Sequence, residues 1–171
     1  GGVRVQVRGR LARREMPGFR PAVFSEPHLS FEGAYRNPED MAAIYGQVHF
    51  TWAIDFFEEG QNSEWLLPNR LYEGCRFGAV PIALRRTEVG KFLARKGVGI
   101  LLDEASPEAL KEAVGTFSAG DYADHQARIA AVDPSTWICT AQDCRELVAR
   151  LPRAKKPAVK LEPAILDRRA A

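Results

Sequence analysis

Residues 51–84 read TWAIDFFEEGQNSEWLLPNRLYEGCRFGAVPIAL. The stretch begins as an apolar strand that closes near Ile54. It continues into a polar, acidic loop holding Asp55, Glu58, Glu59, Gln61, Asn62, Ser63 and Glu64. A helix is expected from Pro68, with Leu67, Leu71 and Cys75 recurring every four residues as its apolar stripe. Residues 80–84, VPIAL, form an unbroken nonpolar run of the kind found in strands covered on both faces. Strand, loop, helix and buried strand make one βαβ unit, and such units build parallel sheets with right-handed crossovers.

The alternation extends in both directions. Strands are expected at residues 3–7, 48–54 and 98–102, with 29–31 a weaker candidate. Asn37-Pro38-Glu39-Asp40 reads as an N-cap, a proline at the first helical position and acids near the positive helix end. Met41, Ile44 and Tyr45 then supply a helical stripe that Gly46 stops. Ser106-Pro107-Glu108 opens a further helix carrying Ala109, Leu110, Ala113 and Val114, and helices are expected at 121–132 and 141–151. The fold class is therefore α/β, a Rossmann-like, doubly wound parallel sheet over residues 1–151. Prolines 152, 157 and 163 amid mixed charge mark residues 152–171 as a basic tail.

Composition narrows the function classes. A net charge of +2 over 171 residues lacks the basic excess of a nucleic-acid-binding protein, so no nucleic-acid partner is expected. The basic residues are unevenly placed: Arg4, Arg8, Arg10, Arg13, Arg14 and Arg20 near one end, and Arg150, Arg153, Lys155, Lys156, Lys160, Arg168 and Arg169 near the other. Such runs read first as solvated faces, and as functional patches they suit phosphate or peripheral contact with an anionic membrane. Three cysteines without a CxxC pair indicate free thiols in a reducing compartment, packed as small hydrophobes. No apolar run is long enough to span a bilayer, and a cytoplasmic location, at most at the inner membrane face, is expected.

The chemistry is expected where the strand ending near Ile54 meets the helix after Pro68, because ligands of open α/β sheets bind at the carboxyl ends of strands. Asn69, Glu73 and Arg76 share a helix face away from the apolar stripe. An ionised carboxylate only accepts hydrogen bonds, so Glu73 suits a pair of sugar hydroxyls. Backbone N–H groups over Leu67 to Asn69, less the one that Pro68 lacks, with Arg70 beside them, suit a diphosphate at the positive helix end. Asn62, Ser63 and Glu64 are candidate polar contacts in the loop before that helix. Asp55, Glu58 and Glu59 are a weak metal signal, and no metal or other cofactor is expected. Trp52 and Trp65 read as packing residues.

PNRLYEGCRFGAVPIA resembles the signature of GT-B glycosyltransferases of the family-four type, roughly P-N-K-L-x-E, four residues, then G-x-P-V-I-A. WAIDFFEEGQNSEWLLPNRLYEG is similar to the exopolysaccharide (succinoglycan-type) biosynthesis transferases of rhizobia. The likeness is densest over residues 48–102. It implies a nucleotide-sugar donor domain in which Glu73 binds the ribose of a nucleotide diphosphate-sugar and the sugar passes to a saccharide or lipid-linked acceptor. It also implies an acceptor-binding domain upstream, so the chain is expected to start inside the donor domain. Two positions depart from the pattern. The proline of the second half falls one place late, at Pro81. A second glutamate, expected eight positions before Glu73, is Trp65, with Glu64 next to it; either Glu64 takes that role, or backbone amides with Asn62 or Ser63 hold the sugar. The competing expectation is a non-catalytic Rossmann-like module for nucleotide or protein binding.

Overall fold

A computed structural model describes residues 2–11 and 17–151. The chain divides into two compact units, residues 1–138 and 139–171. The tail expected at 152–171, and the basic residues Arg13 and Arg14, lie outside the described residues.

The first unit is α/β and Rossmann-like. Strand β1 (Val5–Val7) is followed by helix α1 (Phe19–Ser25), strand β2 (Leu29–Phe31) and helix α2 (Met41–Tyr45). Then come strand β3 (Phe50–Trp52), helices α3 (Asn62–Trp65) and α4 (Asn69–Arg76), strand β4 (Val80–Leu84) and helix α5 (Glu88–Lys96). Strand β5 (Ile100–Leu102), helices α6 (Pro107–Gly115) and α7 (Ala119–Ala131), and a 3₁₀ turn at Pro134–Thr136 complete it. Every pairing is parallel, as helical crossovers require. The strands fall into two sheets, β1-β2 and β3-β4-β5, where one continuous sheet was expected. In the second unit, helix α8 (Ala141–Arg150) starts on a capping box in which Thr140 and Asp143 satisfy each other's backbone N–H groups.

The apolar run of β4 lies at the centre of its sheet, with all five residues buried. One apolar cluster joins Val80 and Ala83 of β4 to Leu71 and Cys75 of α4, Val89 and Leu93 of α5, Ile129 of α7 and Trp137. A second joins Ile82 and Leu84 to Ile54 and Leu102, with Leu110, Ala113 and Val114 of α6 against them. Burial pushes the Cys75 thiol up to about 12, so it packs as a neutral hydrophobe. Cys139 and Cys144 are exposed, against the packing role expected of them.

Three local expectations are corrected. Asn37 does not cap α2: that helix begins four residues later, after Asp40, and the Asp40 carboxylate accepts from the Arg36 N–H at 2.8 Å and pairs with its guanidinium at 3.0 Å. Pro68 is the extended residue before α4 rather than its first turn, because its ψ of 150° is not helical. Residues 62–65 are one helical turn, not loop.

Helix α5 is held to the end of β4 by Thr87. Its hydroxyl donates to the Leu84 carbonyl at 2.8 Å and accepts from the Gly90 N–H at 3.3 Å, while the residue is 8% exposed. Thr87→Ala leaves both backbone groups short of a partner and is expected to cost about 1–2 kcal/mol of unfolding free energy, read from a urea melt. An unchanged midpoint would show that water replaces the hydroxyl.

Candidate functional site

The carboxyl end of β3 and the start of α4 form one wall of a cleft of about 970 Å³. That volume falls in the range of small-molecule and cofactor sites. The turn between α3 and α4 contributes Leu66, Leu67 and Pro68, and the end of β1 adds Val7 and Arg8. The segment leading to α2, and α2 itself, add Tyr35, Asn37 and Tyr45. Within each sheet parallel pairing points the strand carboxyl ends the same way, and the ends of β1 and β3 both reach this cleft.

Glu73 lies one turn into α4 and lines this cleft. Its carboxylate accepts from Asn37 Nδ2 at 2.8 Å on Oε1 and from the Tyr45 hydroxyl at 3.1 Å on Oε2. Burial first, and then the charge of Glu73, push the Tyr45 hydroxyl well above its ordinary value, so it remains a protonated donor. The Tyr45 ring is itself fixed by stacking on Phe77, with centroids 6.1 Å apart and planes 8° from parallel.

Asn69, Arg70 and Leu67 line the same cleft. The backbone N–H groups of Asn69 and Arg70 take no backbone partner within the described residues, as the first turn of a helix dictates. Arg70 does not stand free at the surface. Its Nε donates to the Trp52 carbonyl at 2.8 Å and its Nη2 to the Ile54 carbonyl at 2.9 Å, which pins α4 to the end of β3. Its Nη1 is left over from these two bonds. Arg8 supplies a second guanidinium to the cleft, and its Nε is buried with no hydrogen-bond partner.

The other candidates sit elsewhere. Ser63 is buried, and its hydroxyl accepts from the Glu58 N–H at 2.9 Å, so it braces the loop below α3. Glu64 pairs with Arg86 at 2.9 Å, and Glu59 meets the same guanidinium at 3.4 Å. Asn62, Ser63 and Glu64 do not line the cleft. Asp55 does, but its carboxylate accepts from the Phe57 N–H at 3.0 Å. Among the described residues no three His, Cys, Asp or Glu side chains gather as a metal would need. Trp52 and Trp65 are 41% and 66% exposed, which corrects the packing role expected for them.

Sequence reasoning gave Arg8 a phosphate role only as part of a basic run, and missed Asn37 and Tyr45 as members of the cleft. Asn37 had a local explanation as a cap, and Tyr45 one as a core stripe, so nothing in their spacing pointed 28 to 36 residues onward to Glu73.

The cleft at the strand ends thus brings together a carboxylate on a helix and two guanidinium groups. No family model matches the chain. Over 151 residues, 88% of its length, it is 52% identical to the succinoglycan biosynthesis protein ExoL of Rhizobium meliloti (strain 1021). It is similar to an exopolysaccharide biosynthesis protein. The chain spans 38% of the length of ExoL. Among the described residues no helix is long and apolar enough to cross a membrane.

Proposed function

We propose that this chain is the donor-binding portion of a glycosyltransferase that moves a sugar from a nucleotide diphosphate-sugar to a saccharide or lipid-linked acceptor in exopolysaccharide biosynthesis. The observation that carries the reading is Glu73, a carboxylate held in the cleft one turn from the open end of α4. With one donor on each oxygen, the carboxylate keeps acceptor capacity for the hydroxyls of a ribose. The diphosphate then falls toward the free N–H groups of Asn69 and Arg70, where the partial positive charge of the helix end favours an anion. Arg70 Nη1 and the Arg8 guanidinium add positive charge.

In this reading the protein's contribution is electrostatic and positional. Breaking the bond between sugar and diphosphate leaves negative charge on the phosphate, and donors already aimed at that charge lower the barrier. Holding donor and acceptor together supplies the rest. The similarity to ExoL supports the pathway context.

The test is ligand-observed NMR and calorimetry with UDP, GDP and ADP. At least one is expected to bind in the micromolar to millimolar range, and Glu73→Ala to weaken that binding by about tenfold or more, from loss of charged hydrogen bonds. If none of the three binds at millimolar concentration, or if Glu73→Ala binds as the parent does, the donor-site assignment fails.

A further inference from the structure

We infer that Asn37 and Tyr45 are positioning residues that set the Glu73 carboxylate to read both hydroxyls of a ribose, making the cleft selective for ribonucleotides over 2′-deoxyribonucleotides. This rests on the donor-site reading above and adds to it the means by which the sugar is chosen.

Each carboxylate oxygen offers about two lone-pair directions. Asn37 takes one on Oε1 and Tyr45 takes one on Oε2, so one direction is left on each oxygen. One remaining acceptor on each oxygen, both in the carboxylate plane, matches two adjacent hydroxyls. The donors approach from separate segments, one before α2 and one at its end, so the carboxylate is held against both rotation and swing. All three side chains line the same cleft. A free glutamate gives up rotamer freedom when it binds a ligand, whereas one already tethered gives up little, and its hydrogen bonds appear more fully in affinity.

Tyr45 has a rigid seat of its own. Its ring lies flat on Phe77, the residue that ends α4, so its hydroxyl returns to the helix that carries Glu73. Tyr45→Phe keeps this stack and removes only the hydroxyl. A role confined to tying α2 to α4 would lower stability on mutation and leave sugar discrimination untouched.

The experiment uses the intact protein and compares affinities for UDP and 2′-deoxy-UDP, with the corresponding guanosine and adenosine pairs run alongside. The parent is expected to favour the ribonucleotide by about tenfold, the effect of leaving one acceptor unpaired. In Tyr45→Phe and Asn37→Ala the preference is expected to fall below about threefold, with thermal melts showing both variants folded. A preference that stays at the parent's level in both folded variants overturns the positioning role. So does a parent that does not discriminate while Glu73→Ala still loses binding. Absence of binding by any ribonucleotide, or binding indifferent to Glu73→Ala, instead brings down the donor-site reading itself.

Discussion

Leu71→Ala is expected to lower the unfolding free energy by about 3 kcal/mol, within the span of roughly 2–5 kcal/mol seen when a fully buried leucine is truncated. Leu71 has no exposed surface and lies in the cluster that joins α4 to Val80 and Leu93. Its removal opens a cavity between helix and sheet that close-packed neighbours cannot collapse into, because β4 is held by partners on both sides. Against a total stability of about 5–15 kcal/mol this is a large share. Equilibrium urea unfolding followed by circular dichroism reads it directly. A loss under about 1 kcal/mol would mean that α4 does not pack on the sheet as described.

Gly90→Ala should be at least as damaging, although alanine is the better helix former by about 1 kcal/mol. A methyl group at this position would fall 2.8 Å from both the Arg85 Cα and the Arg85 carbonyl oxygen, and closer still to the Leu84 carbonyl. These are backbone atoms of the turn between β4 and α5, so no side chain can rotate out of the way. Helix α5 must lift from the strand end, which breaks the Thr87 bonds and disturbs Val89 and Leu93 beneath it. We expect a loss of about 3 kcal/mol or more, well beyond that of Thr87→Ala. A variant as stable as the parent would show that the helix and turn are further apart than the structure places them.

What the sequence revealed follows from which forces act locally. The VPIAL run was legible because a strand buried on both faces has no polar alternation to confuse it. Helix α6 was legible because Ser106, Pro107 and Glu108 write its start in consecutive residues, and the Ser106 hydroxyl does accept the Ala109 N–H at 3.1 Å. Helix α5 was overlooked although Thr87 and Glu88 mark its start and Gly97, left-handed at φ 67°, its stop. Its interior glycine weakens the helical pattern, and the reason for that glycine is a tertiary approach that no window of sequence contains. The same limit applied to the cleft. Glu73, Asn69, Arg70 and Leu67 share one short segment and were found together. Ser63 and Glu64 looked equally suitable by type, but one turn of helix directs them to Glu58 and Arg86 instead. Asn37 and Tyr45 complete the carboxylate's surroundings through chain separations that only the fold closes.

The residue after Glu73 has no side chain. Any Cβ on Gly74 would run into the Thr51 side chain, including its Cβ at 2.9 Å, while the Thr51 hydroxyl donates to the Arg70 carbonyl at 3.2 Å on the same helix. Helix and strand therefore touch almost backbone to backbone beside the carboxylate. Enlarging position 74 would tilt the helix and re-aim its neighbour, so a residue packed against the strand acts as the sighting point for the carboxylate in the cleft. In any survey of substitutions scored by binding alone, the two positions would look alike, and a parallel measurement of folding is what tells the support from the contact.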